Sequence, residues 1–223
     1  MYRFTMTFAE FCRKELDLGR RVSYGYQSLS ACILDCVYSL RARYDSVTIP
    51  VVERYAAVYM NGDRFAPGDT VSMLLKHIEE QGGEKSFADN VLKNHNKSGG
   101  RNGVPKERTC RQLAQYLKYL HIETMKDFRD FAYPELLEAV IRSVKGMGDA
   151  GTNYLFMLSG DPDRCKPDVH IHHCVRDVCG EDISNEECQT LFTETAEVLR
   201  KAYPGLTVRD LDSMIWHKYH DKA

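Results

Sequence analysis

Leu136, Leu137, Val140, Ile141 and Val144 recur at helical spacing and then stop, and a second apolar run, Asn153 to Ser159, follows almost at once. The link between them is Lys145-Gly146-Met147-Gly148-Asp149-Ala150-Gly151-Thr152. A link this short and glycine-rich forces the chain to double back as two helices joined by a tight turn, over about 136–160. Gly146 and Gly148 permit positive φ and a close approach of backbone to a ligand. Free N–H groups where the second helix starts make an anion site. A hairpin with a glycine cap, used only for packing, satisfies the same residues.

Two other segments carry chemistry. Lys166-Pro167-Asp168-Val169-His170 places a carboxylate at the start of an amphipathic run, Val169 to Cys179. Taken alone, Asp168 reads as a helix N-cap. Between 93 and 118 stand Lys93, Lys97, Arg101, Lys106, Arg108, Arg111 and Lys118, opposed by Glu107. The middle of that stretch, Asn96 to Gly103, is a polar loop by composition. A basic loop leading into a helix suits phosphate contacts, and it also suits an ordinary solvated surface.

The rest of the chain reads as helix. Thr7 to Arg20 forms a first one. Leu29, Cys32, Ile33, Cys36, Val37 and Leu40 mark a half-buried second, capped by Ser28. Pro50 opens Val51 to Met60, and Asp69 caps Thr70 to Gln81, which Gly82-Gly83 ends. Leu113 to Leu120, a short Glu123 to Tyr133, a long helix from Ser184 to Ala202, and Val208 to Tyr219 after Thr207 complete the set. No strand pair is expected, so the fold class is all-α.

Composition narrows the setting. The chain of 223 residues can bury a good core, and it holds no run of 18 apolar residues that would span a membrane. Its first residues, Met1-Tyr2-Arg3-Phe4-Thr5, lack the apolar stretch of a signal peptide. Eight cysteines without a disulfide rhythm fit a reducing, cytoplasmic location. The net charge of −2 gives no global support for a nucleic-acid partner, so any support is local to 93–118.

The hairpin and Asp168 belong together, for Asp168 lies 20 residues after Gly148. The pair resembles the helix-hairpin-helix/Gly-Pro-Asp (HhH-GPD) superfamily of DNA glycosylases. In the endonuclease III branch the hairpin reads Leu-Pro-Gly-Val-Gly-x-Lys-Thr-Ala, with the catalytic Asp at the same spacing. The alkylpurine branch carries an Asn-Tyr after its hairpin, as Asn153-Tyr154 does here. Lys145 departs from the family's Pro, and Ala150 stands where lyase-type members have their Schiff-base Lys. Cys174, Cys179 and Cys188 do not match the spacing of the family's iron–sulfur ligands.

The resemblance implies a two-lobed helical HhH-GPD fold with an interlobe cleft. The whole of 1–223 would be one glycosylase unit with discontinuous lobes. It implies a monofunctional DNA N-glycosylase that flips a damaged or modified base and hydrolyses its glycosidic bond without cutting the strand. Asp168 would be catalytic. Gly146, Met147, Gly148, Ala150, Gly151 and Thr152 would hold a phosphate, and Lys97, Arg101, Lys106 and Arg108 more of the backbone. Tyr26, Asp35, Leu40 and Arg41 would serve the base pocket or wedge into the stack. The partner would be DNA, bound by a monomer, with no cofactor beyond a monovalent cation at the hairpin. A non-catalytic DNA-binding protein of the same fold is the rival. Alkylated purine, uracil or a mismatch product, and hypermodified cytosine of phage DNA stay open as targets.

Other groups have plainer readings. His170, His172, His173 and Cys174, with Cys165 and Cys179 nearby, lack a recognised zinc spacing. Trp216 reads as packing. Glu186, Glu187, Asp210 and Asp212 read as first-turn complements to a helix dipole.

Overall fold

The computed structural model describes residues 1–21, 25–99 and 102–220. Among these the chain is all-α, with twelve α-helices and one two-residue strand pair. It divides into two compact units, one from Gly25–Ser159 and one from Met1–Tyr24 with Gly160–Ala223.

In the Gly25–Ser159 unit, helix α2 (Leu29–Ser39) is buried at every residue. Periodicity predicts one half-buried face; instead α3 (Ile49–Tyr59), α4 (Val71–Glu80), α6 (Lys106–Tyr119) and α9 (Gly148–Leu158) surround it. Ser28 caps α2 as expected, its Oγ accepting the Ala31 N–H at 3.1 Å. A π-helical turn, Tyr44–Thr48, leads into α3, with Pro50 in the first turn of that helix. The cap of α4 is Thr70 rather than Asp69: Thr70 Oγ1 accepts the Met73 N–H at 3.2 Å. Asp69 turns inward, where Tyr55 donates its hydroxyl to Oδ2 and the same hydroxyl meets His77 Nδ1 at 2.9 Å.

After α4, α5 (Glu84–Phe87) and a second π-helical turn (Ala88–Leu92) lead to the basic loop. Its neck is an antiparallel pair, β1 (Lys97–Ser98) with β2 (Val104–Pro105), in register Lys97↔Pro105 and Ser98↔Val104. This corrects the expectation of no strands, since the ladder ties the loop at its base. Helix α7 (Met125–Arg129) is held by a Thr124/Asp127 capping box. Helix α8 (Pro134–Ser143) and α9 then form the expected hairpin.

The other unit joins α1 (Thr5–Glu15) to α10 (Val169–Cys179), α11 (Asn185–Arg200) and α12 (Val208–His220). Helix α1 packs on α11 and α10, and α12 packs on α10 and α11. Phe8, Cys12, Ile171, Val175, Phe192 and Leu211 lie in its core. Ser184 and Glu187 make a capping box for α11, and Thr207 and Asp210 cap α12. None of the eight cysteines forms a disulfide. No helix among the described residues is long and apolar enough to cross a membrane.

Candidate functional site

The turn of the hairpin closes through the Met147 N–H, which donates to the Val144 carbonyl at 3.1 Å. Gly146 sits at φ +106°, and a Cβ there would lie 2.9 Å from both Ser98 Cβ and Thr109 Oγ1. Thr109 Oγ1 also donates to the Lys145 carbonyl at 3.1 Å. The turn is therefore packed onto β1 and the first turns of α6, which brings the basic loop and the hairpin side by side. Gly148, at φ +58°, faces open space, with nothing within 4 Å of its Cβ position. Helix α9 has no side-chain cap at its start. Asp149, the acidic residue of its first turn, is paired with Arg142 Nε at 2.9 Å, and Lys145 is exposed beside it.

Of the other residues expected at a phosphate, Ala150 is half-exposed, while Met147, Gly151 and Thr152 are buried. Thr152 Oγ1 donates back to the Gly148 carbonyl at 2.7 Å. A Cβ on Gly151 would lie 3.1 Å from Leu40 Cδ1, and the Gly151 carbonyl accepts the Cys36 thiol at 3.1 Å. What this turn offers a ligand is backbone around Gly148, with Lys145 and Lys97 exposed nearby.

Lys106 is corrected by its burial, for it is 1 % exposed. Its Nζ donates to the carbonyls of Tyr38 at 2.8 Å and Leu40 at 2.7 Å. The ammonium closes the C-terminal end of α2 and is withdrawn from any DNA surface. Lys106→Met should keep the packing of the stem but orphan both carbonyls, lowering stability by about 2–4 kcal/mol in urea unfolding. Unchanged stability with weakened DNA binding would put the ammonium back at the interface. Arg108 is exposed, with Nε on Glu84 Oε1 at 2.7 Å, so an internal carboxylate competes for it. Arg101 lies outside the described residues.

The base-pocket candidates are also rearranged. Asp35 is fully buried. Its Oδ2 accepts the hydroxyls of Tyr26 at 2.8 Å and Tyr44 at 2.7 Å, and its Oδ1 that of Tyr154 at 2.9 Å. Burial first, and then the charge of Asp35, push the phenols of Tyr26 and Tyr44 far above their usual range. A carboxylate so enclosed is an internal tie, not a contact for a flipped base. Tyr26 is likewise no open stacking surface, since its ring packs against Phe65 at 5.3 Å between centroids. Leu40 lies under the hairpin against Gly151 rather than as a free wedge. Arg41 is exposed at φ +53°, just past the end of α2.

Asp168 caps α10, its Oδ1 accepting the N–H groups of His170 at 2.9 Å and Ile171 at 3.2 Å. Among the described residues its Oδ2 has no hydrogen-bond partner, and the residue is half-buried. One carboxylate oxygen of Asp168 thus holds the helix, and the other makes no further hydrogen bond among the described residues.

Sequence reasoning missed two arrangements on α12, in the unit that carries Asp168. Trp216 is only partly buried and stacks on His220 at 4.2 Å and 17°, with His170 edge-on to both. The spacing of Trp216 and His220, one helical turn apart, was the available signal. Asp212 does not complement a dipole at the surface. It is buried, and its Oδ1 accepts the Lys166 N–H at 2.7 Å. His172, from the sequence's His/Cys cluster, bonds Asn185 Oδ1 through Nε2 at 2.9 Å.

Comparison with curated proteins and with solved structures finds no match. One family model, described as a domain of unknown function (DUF8548), matches residues 6–220, and the chain belongs to that family.

Proposed function

We propose that this chain is a monofunctional DNA N-glycosylase with the two-lobed HhH-GPD architecture. The observation that carries it is the α8–α9 turn, open at Gly148, with an Asp168 carboxylate 20 residues later that keeps one oxygen uncommitted. Backbone N–H groups of the turn, with Lys145 and Lys97, hold phosphates beside the target nucleotide. The target base leaves the stack at an expense of a few kcal/mol. As the C1′–N bond breaks, positive charge develops on the sugar, and the Asp168 carboxylate stabilises it. Asp168 then orients water for attack at C1′, taking its proton, while the bonding pair leaves with the base. Ala150 supplies no amine for a Schiff base, so the strand stays intact. The protein works on DNA in the cytoplasm as a monomer, and no step of the reaction calls for a cofactor.

The test is a mass-spectrometric search for free bases released from several damaged and phage-derived DNAs. Released base, with strand breaks only after alkali, is the expected result. DNA binding without release from any of them would favour the non-catalytic rival, and a borohydride-trapped adduct would remove the monofunctional assignment. Salt titration on one duplex adds a second check. Each phosphate contact contributes about −0.9 to the slope of log K against log salt. Replacing Lys97 and Lys145 by Gln should flatten that slope by about 1–2, and an unchanged slope would remove this surface from the DNA site.

A further inference from the structure

The Lys166–Pro167–Asp168 turn is held from behind. The Asp168 N–H donates to the Lys166 carbonyl at 2.7 Å, a three-residue turn around Pro167. The N–H of the same Lys166 donates to Asp212 Oδ1 at 2.7 Å. Asp212 is in the interior face of α12, 4 % exposed. Lys166 is buried too, so without Asp212 its N–H would have no water to turn to. Three contacts therefore run in series: α12 holds Lys166, Lys166 holds Asp168, and Asp168 holds the first turn of α10.

We infer, on the reading of Asp168 as the reacting carboxylate, that Asp212 is its positioning residue, fixing the turn that leaves Asp168 Oδ2 uncommitted. An amide would accept one N–H without burying an ionisable acid, so the choice of Asp at this place calls for a reason. Burial raises the Asp212 carboxyl well above the usual range, and the charge of Asp168 raises it further. Both effects favour the neutral form of Asp212, whose carbonyl oxygen still accepts the Lys166 N–H. The other titratable groups facing it are Lys166, which opposes the shift, and the thiols of Cys165 and of Cys188 on α11, both pushed up chiefly by their own burial. Asp212 thus braces the turn from the buried face of α12.

The test uses the full chain labelled with ¹³C at aspartate carboxyls, with Asp168→Asn and Asp212→Asn to assign the two resonances. Asp212 should ionise above the usual carboxylate range. Amide hydrogen exchange then reads the brace directly. Asp212→Leu should speed exchange at His170 and Ile171 by about tenfold, the worth of one lost hydrogen bond, while the amides of α11 keep their protection. Asp212→Asn, which still offers a carbonyl to Lys166, should restore it. Wild-type protection at His170 and Ile171 in Asp212→Leu would overturn the inference, as would equal loss throughout α11. If Asp212→Leu does not fold, Asp212→Ala, which removes the acceptor without adding bulk, is read at the same two amides against α11. None of these readings needs a substrate, so a wild-type chain that frees no base would defeat the glycosylase assignment and leave this one standing.

Discussion

Asp168→Asn should lower base release at least about 100-fold on any DNA from which the wild-type chain frees a base, with DNA affinity held within a few-fold. Losing charge aimed at a developing cation commonly removes that much rate. The substitution is clean because Asn caps a helix about as well as Asp. The bonds from His170 and Ile171 to the side-chain oxygen should survive, and so should the melting temperature. Asp168→Ala removes both functions and should cost about 0.5–2 kcal/mol of stability besides. Chromatographic quantitation of free base, beside thermal denaturation of the three proteins, separates the roles. Normal turnover in Asp168→Asn would leave Asp168 as a cap and nothing more.

The two glycines of the turn should fail in different ways. Gly146→Ala meets a backbone at φ +106° and two atoms at 2.9 Å from the new Cβ, Ser98 Cβ and Thr109 Oγ1, the second tied to the Lys145 carbonyl. Backbone strain and overpacking together should destabilise the Gly25–Ser159 unit by about 2–5 kcal/mol. Gly148→Asp meets open space at φ +58°, a left-handed conformation that Asp tolerates. Its fold should hold by circular dichroism while DNA affinity drops at least tenfold, about 1.4 kcal/mol, because a negative side chain then stands where backbone meets phosphate. Gly148→Asn keeps the shape without the charge and should recover part of the binding. Wild-type affinity in a folded Gly148→Asp protein would take the turn out of the interface, and the glycosylase assignment with it.

What was legible in the chain was local. Helical periodicity found nearly every long helix, and short-range caps at Ser28, Ser184 and Thr207 marked starts correctly because cap and partner lie within a few residues. Asp168 was found the same way. The errors fall where the deciding partner is distant. Lys106 sits in a basic run, and nothing nearby says that its ammonium closes a helix ending some 66–68 residues earlier. Asp212 answers to Lys166, 46 residues before it. Asp69 looked like a cap, but Tyr55 on the preceding helix draws its side chain away. Asp35 could have been caught, since no polar face exists along Leu29–Ser39 for a carboxylate to point toward water, so burial with donors was the remaining option.

The interleaving of the two units also sets an order of events during synthesis. Residues 25–159 are contiguous, so that unit can close as soon as it has emerged. Helix α1 has no such luck: its main neighbour, α11, follows about 170 residues later. At typical translation rates that is a wait of roughly ten to thirty seconds. Phe8, Ala9 and Cys12 then have no core to enter, although each is fully buried at the end. A nascent chain that has exposed its residues up to about 160 should therefore carry one folded body and one unclaimed apolar helix, a natural client for a chaperone at the ribosome exit.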